Sequence, residues 1–489
     1  MSGPGTERPL VAGVDSSTQS TKVELRDATT GELVAHGRAA HPVTTPPRSE
    51  QHPDDWWAAL VSAMADCGTA RSRVAAISIA GQQHGLVCLD DRDRVLRPAP
   101  LWNDTTSAAE ADRLVARLGR EAWASSCGSV PVAAFTITKL AHLAEHEPDV
   151  IDRVAHLLLP HDELTRRLTG RHVTDRGDAS GTGWWCPSTG TAQADLLELA
   201  APEVADPDWL PQVLGPTETP GPLLPGAAEQ LGLAPGIPVG PGTGDNMAAA
   251  VGLGLAPGDV ALSLGTSGTV FTTSDTPTAD PTGAVAGFAD ATGRYLPLVC
   301  TLNAMRVTDT VATLLGADVS RFDSLALSGE PGAGGLTLLP YFDGERTPDR
   351  PHATGHVVGL RTSTGPAELA RAAVEGVLCG LLDGYDALIA ALGGAAPGGR
   401  HLLVGGGARS PAYRQVLADL TGHGWSAVQG EETVARGAAA QAAAVLTGMR
   451  VDDVVAMGGP PPAVEVRPGP DAVAGPHVRA AYAAFRDRS

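Results

Sequence analysis

The chain has 489 residues, 43% of them hydrophobic, and sets 35 Lys and Arg against 55 Asp and Glu for a formal charge of −20. That length and composition describe at least two domains with ample core, and the acidic balance excludes bulk attraction to nucleic acid or to an anionic membrane surface. No apolar run approaches 18 residues, the amino terminus carries no leader pattern, and the six cysteines (67, 88, 127, 186, 300 and 379) show no CxxC or metal-ligand spacing. The expectation is a globular cytoplasmic protein with reduced thiols, compatible with a homodimer.

Residues 10–25, LVAGVDSSTQSTKVEL, read as strand, hydroxyl-rich turn and strand, with Asp15, Ser17 and Thr18 at the turn. Lys22 on the second strand is one of just two lysines, the other being Lys139. After a Pro- and Thr-rich loop, Pro53 with Asp54 and Asp55 opens an amphipathic helix whose Trp56 and Trp57 read as core and interface aromatics. The apolar run 74–80 then ends in GQQHG. Polar residues just beyond the carboxyl end of a buried strand are where α/β sheets present ligand contacts, which makes Gln83 and His84 candidates for a polyhydroxylated ligand. VLRPAPLWNDTTS delivers Trp102, Asn103 and Asp104, an apolar surface, an amide and a carboxylate suited to a sugar face and its hydroxyls. One long helix is expected over 107–123 and another over 135–146; LLLPHDELTRRLTG reads as strand, turn and helix, and the Pro- and Gly-rich residues 211–240 as a connector.

Two devices stand side by side in the middle of the chain. GTGDN presents Asp245 and Asn246 where a small-residue helix begins, and the positive end of that helix favours an ionised carboxylate. SLGTSGT sets Gly265, Thr266 and Ser267 in a tight turn between apolar strands, where exposed N–H groups and hydroxyls make an anion site. This hairpin echoes the one at residues 10–25, about half the chain away. A duplicated domain follows, with one hairpin in each half gripping a polyphosphate. It is not a Walker loop, since GxxxxGK[ST] is absent. Further on, HLLVGGGARS offers Gly405, Gly406 and Gly407 after a strand, where backbone can approach a nucleotide closely. An alanine-rich helix is expected over 433–446, and the residues from 460 on are Pro-rich.

In order, VDSSTQSTK, SEQHPDDWW, GQQHG, LWND, GTGDN, SLGTSGT, LPYFDGERTP, GHVVGL followed by ELARAAVEG, and GGGARS lie between residues 14 and 410, within a match that runs from about residue 10 to about residue 448. Together they resemble the FGGY family of carbohydrate kinases; the most specific stretch sets Gly355, Gly359, Leu360, Glu368, Leu369, Ala372 and Glu375 at the family's spacing. The resemblance implies two actin-like, ribonuclease-H-like α/β domains that close on ATP and sugar in a cleft between them. The expected boundaries are residues 8–246, 247–450 and a tail, 451–489. Asp245 is then implied as the catalytic base, and Asp15 as a second catalytic carboxylate that holds Mg2+. Gln83, His84, Trp102, Asn103, Asp104 and Asn246 are implied at the sugar. Ser17, Thr18, Lys22, Gly265, Thr266 and Ser267 are implied at the phosphates, and Gly405, Gly406, Gly407 and Ser410 at the nucleotide.

GQxHG with WND resembles a pentulose-type pocket, implying transfer of the γ-phosphoryl group to the 5-hydroxyl of D-xylulose in xylose catabolism, with ribulose or xylitol the alternative acceptor. A free Asp has a pKa of about 3.9, and Asp245 at a helix start is expected to stay ionised and weakly basic. Positioning and charge neutralisation then supply most of the rate. Three residues depart from the family pattern: Gln83 stands for the usual Met, His161 for a Lys, and His142 for an aromatic. The first bears on sugar choice; the other two read as packing or surface changes. A dinucleotide-binding oxidoreductase, read from VGGGARS alone, lacks an amino-terminal βαβ unit with the acidic residue at the right spacing. A non-catalytic sugar-binding member of the actin-like fold would be expected to lose Asp15 or Asp245, and both are present.

Overall fold

The computed structural model describes residues 8–350, 352–395, 397–430 and 432–488, so residues 1–7, read above for a leader, lie outside the described residues. Strand β1 (Leu10–Ser16) pairs antiparallel with β2 (Ser20–Asp27), and β2 with β3 (Leu33–Ala40). Helix α1 (Pro53–Asp66) starts as its sequence dictates: the His52 side chain accepts from the Asp54 amide, Pro53 occupies the first turn, and Asp54 and Asp55 face the positive helix end. Trp56, Leu60 and Met64, four residues apart, bury one stripe of the helix. The chain returns as β4 (Val74–Gly81), parallel to β1 in a register that sets Ala80 beside Asp15 and Gly81 beside Ser16. GQQHG therefore leaves the sheet next to the β1–β2 turn.

The single helix expected over 107–123 is two, α2 (Ala108–Leu118) and α3 (Arg120–Cys127). Gly119 separates them with φ 88°, a left-handed backbone that cannot continue a helix. Helices α4 (Thr136–His146) and α5 (Pro160–Thr169) follow. Residues 211–240, read above as a connector, instead hold a short helix (Pro225–Leu231) and strands of their own; β5 (Pro238–Val239) joins β4 at Ile77. β6 (Thr243–Gly244) pairs further along β4 and runs directly into α6 (Asp245–Leu253).

A second sheet repeats this plan. β7 (Val260–Leu264) and β8 (Gly268–Thr272) form the later hairpin, β9 (Tyr295–Thr301) pairs antiparallel with β8, and helix α7 (Pro366–Ala391) follows. β10 (His401–Val404) then pairs parallel with β7. The order β9-β8-β7-β10 thus has the same strand senses as β3-β2-β1-β4. Helix α8 (Pro411–Thr421) and β11 (Trp425–Val428) complete this part.

Helix α9 (Thr433–Thr447) goes back to the first sheet. Ala439, Ala442 and Ala443 bury against Val11 and Ala76, and Ala438 against Ala80 and Ala248 of α6. The alanine-rich composition has a steric cause here. A Cβ added at Gly437 would run into the Ala248 carbonyl, and one at Gly252 into that of Thr433, so α6 and α9 touch backbone to backbone. The residues after 460 are ordered in elements too: β12 (Ala463–Val466) closes the sheet edge beside β11, and α10 (Gly475–Arg486) packs on α8. Two compact units result. The first takes residues through Leu255, Ser274–Leu296 and Glu432–Pro460, and the second the intervening residues together with those from Pro461 on. All six cysteines are buried and unbridged.

Candidate active site

Three strand ends of the first sheet, β1, β4 and β6, bring the first unit's polar residues together. Asp15, 3% exposed, stands across from Lys22, whose Nζ lies 3.3 Å from its Oδ2 and 2.6 Å from Glu432 Oε2. Its Oδ1 is buried with no hydrogen-bond partner. Burial outweighs the pull of Lys22 and pushes the Asp15 carboxyl up to about 6. Asp245 is the first residue of α6, and its Oδ1 accepts from Asn246 Nδ2 at 2.9 Å.

The ordinary, weakly basic carboxylate expected at position 245 is corrected by its surroundings. Desolvation, with the charge of Asp15 adding to it, raises Asp245 to about 7 against the favourable helix end and the Asn246 hydrogen bonds. The same Asn246 amide donates to Gln83 Oε1 at 2.9 Å, and Gln83 Nε2 is buried without a partner. His84 has φ 66°, stacks on Phe135 at 4.9 Å between ring centroids, and has Nδ1 2.8 Å from the Gly181 carbonyl oxygen. Trp102 Nε1 donates to Thr18 Oγ1 at 2.9 Å, and Thr18 in turn donates to Gln82 Oε1 at 3.0 Å. The Ser17 hydroxyl closes its own turn on the Ser20 carbonyl at 2.9 Å. Asn103 holds a buried, unpartnered Oδ1. Asp104 is fully buried and accepts from the amides of Ser49 (2.7 Å) and Thr106 (2.9 Å), so its carboxylate shapes the loop that carries Trp102 and Asn103.

Two groups escaped the sequence reading. Gln82, 1% exposed, ties the loop to the first hairpin, its amide donating to the Ser16 carbonyl at 3.0 Å and its side chain meeting Thr18 and Gln51. The doubled glutamine of GQQHG was the available signal, because neighbours in extended chain face opposite ways. His161, read above as a packing or surface change, is fully buried, with Nε2 3.1 Å from Asp162, 3.3 Å from Asp175 and 3.4 Å from Asp178. Burial disfavours its cation, yet the three carboxylates outweigh that and push it up to about 9. Asp175 also accepts from Thr243 Oγ1 at 2.8 Å, linking this cluster to the strand that delivers Asp245. Lys139, 1% exposed, turns back on the carbonyls of Ala133, Ala134 and Phe135, a cap for the approach to α4.

In the second unit the Gly265 amide donates to the Ser267 carbonyl at 3.0 Å, and Thr266 is exposed at the tip of the turn. The Gly265 and Thr266 carbonyls accept from the amides of Met305 (3.0 Å) and Ala304 (3.3 Å). Gly405, with φ 84°, lies where a Cβ would meet the Leu264 carbonyl at 2.5 Å, whereas a Cβ at Gly406 would meet the Met305 sulfur at 3.2 Å and one at Gly407 the Leu264 side chain at 2.6 Å. Ser410 caps α8: its Oγ accepts from the Tyr413 amide at 3.2 Å and donates to Asp323 at 2.6 Å.

A sheet plan used twice, with a hydroxyl-bearing hairpin in each copy and paired carboxylates in the first, defines a phosphotransferase of the actin-like class. Residues 10–252 match the amino-terminal domain and residues 260–446 the carboxy-terminal domain of the FGGY family of carbohydrate kinases, and the chain belongs to that family, whose phosphoryl donor is ATP. A xylulose kinase of Streptomyces coelicolor is 49% identical over 443 residues, covering 90% of this chain and 89% of its own. That of Escherichia coli is 39% identical over 423 residues, 84% and 85% of the two chains. The crystal structure of xylulose kinase from Bifidobacterium adolescentis superposes with a TM-score of 0.83 at 41% identity, covering 98% of this chain and 99% of that one.

Proposed function

We propose that this carbohydrate kinase transfers the γ-phosphoryl group of ATP to the 5-hydroxyl of D-xylulose, in the cytoplasm. The observation that supports it is a set of unsatisfied polar atoms on the candidate residues: Asp15 Oδ1, Gln83 Nε2 and Asn103 Oδ1 are buried without partners, a set matched by a small polyhydroxylated ligand and a cation. The relatives named xylulose kinase support the choice of sugar.

A sugar hydroxyl is a weak nucleophile, and Asp245 accepts its proton as the bond to phosphorus forms. Asn246 holds one carboxylate oxygen through its 2.9 Å hydrogen bond, leaving Oδ2 for the proton. Gln83, His84, Trp102, Asn103 and Asn246 orient the sugar, and Asp104 sets the loop on which two of them sit. Asp15 with its free oxygen is an all-oxygen donor suited to a hard dication, and it would hold Mg2+. Bound there, it would supply charge neutralisation at the phosphates. Lys22, Ser17 and Thr18 at the first hairpin present donors suited to phosphate, the Gly265, Thr266 and Ser267 turn is by itself also suited to phosphate, and Gly405, Gly406, Gly407 and Ser410 offer a face suited to adenosine.

The test is ADP release with Mg2+ and ATP over D-xylulose, L-xylulose, D-ribulose, L-ribulose, xylitol, glycerol and no sugar. Clear preference for D-xylulose is expected. Turnover confined to another sugar would overturn the acceptor while leaving phosphoryl transfer standing.

A further inference from the structure

Phosphoryl transfer makes no use of a cluster shared by α2 and α4. His142 and His146 are four residues apart and so lie on one face of α4. Glu110 of α2 reaches both: its Oε1 is 3.3 Å from His142 Nδ1 and 3.1 Å from His146 Nε2, and the three atoms lie within 4.8 Å of one another. Glu110 is 2% exposed, its Oε2 has no hydrogen-bond partner, and His142 Nδ1 is buried and likewise unpartnered. Donors bound at zinc distances in a tetrahedral shell stand about 3.3 Å apart. Two of the three donor pairs therefore already stand near the spacing of a coordination shell, one of them as a hydrogen bond between His146 and Glu110, and a carboxylate oxygen and an imidazole nitrogen of the group are buried without hydrogen-bond partners.

The surrounding charge permits a cation. Arg113 approaches Glu110 Oε1 to 3.4 Å, but it also pairs with Glu145 of α4 and is 54% exposed, on the solvent side of the cluster. Glu145 lies 4.0 Å from His146 Nε2, near enough to complete the shell.

We propose that Glu110, His142 and His146 form a site for a zinc-class divalent cation that clamps α2 to α4. Two imidazoles with one carboxylate suit zinc, cobalt or nickel, whereas magnesium takes oxygen donors. The site is thus chemically separate from the one assigned to Asp15, and it stands whether or not that assignment does.

The probe is Co2+ alone, titrated into chelator-treated full-length protein and read by its visible d–d absorption, in excess Mg2+. Wild type is expected to bind cobalt with the intense bands of a four- or five-coordinate ion. His146→Ala, at an exposed position, is expected to keep the melting temperature of the metal-free protein and to weaken cobalt binding about tenfold or more, at least the effect of losing an outer-shell partner. Glu110→Gln is expected to weaken it likewise. His172→Ala removes a ligand from a second group, Asp93, His156 and His172, and is expected to leave the signal in place. Absorption that survives His146→Ala unchanged, or a wild type without these bands at millimolar cobalt, overturns the proposal.

Discussion

Asp245→Asn changes the chemistry at the start of α6 while keeping its shape, because a carboxamide oxygen can still accept the 2.9 Å hydrogen bond from Asn246. A positioned general base contributes about 10²–10⁴-fold, so kcat with D-xylulose should fall by that factor, about 3–5 kcal/mol of barrier. Stability should move the other way. The Asp245 carboxyl rises from 3.8 unfolded to about 7 folded, so its ionisation begins to oppose folding above pH 3.8, and the penalty is complete above about pH 7. That displacement corresponds to an upper bound on the order of 4 kcal/mol at pH 8, and to little at pH 4. Steady-state ADP release supplies the rate, and thermal melts in chelator at pH 4 and 8 the stability. The variant should melt higher than wild type at pH 8, with the gain shrinking toward pH 4. A kcat within tenfold of wild type would remove Asp245 as the base; an unchanged or lower melting temperature at pH 8 would refute the burial argument.

His161 carries a folded value of about 9 against 6.5 unfolded, so the stability it contributes is full below pH 6.5 and is lost as pH rises through 9. Urea unfolding should show that loss in wild type, and His161→Lys, with an ordinary value of about 10.4, should hold its stability to higher pH; parallel profiles would count against the cluster. Gly437→Ala drives a methyl into the Ala248 carbonyl and should cost roughly 1–3 kcal/mol in chemical denaturation; a neutral change would mean that α6 and α9 can part freely. Gln83→Met removes the acceptor for Asn246 and one unpartnered donor, so KM for D-xylulose should rise about fivefold, roughly 1 kcal/mol, with kcat changed less. An unaltered KM would place Gln83 away from the sugar.

Both hairpins, the strand before GQQHG and the start of α6 at Asp245 were legible because each is a local pattern: an apolar run, a turn composition, a helix of small residues. What escaped depends on partners distant in sequence. Nothing around His161 announces that Asp175 and Asp178 meet it in the folded chain, and the Asp245 value depends on Asp15 from another strand. The split between α2 and α3 turns on the backbone of one glycine, Gly119, inside an otherwise helical run. Short strands such as β5 and β12 are too brief to show periodicity and form only because a neighbouring strand offers an edge.

Helix α9 has a consequence for how the polypeptide is made. Its alanines cover Val11, Ala76 and Ala80, and Gln441 accepts from Ser78 at 2.6 Å and donates to the Gly242 carbonyl at 3.1 Å. A nascent chain that has reached Leu255 therefore has all the strands of its first sheet and still lacks the lid over one face. Nearly 200 more residues must leave the ribosome, on the order of ten seconds or more at ordinary elongation rates, before that face can be covered. During this interval the bare apolar surface is open to chaperones and to other unfinished chains, and a gene fragment cut at residue 255 would fix the protein in that sticky state.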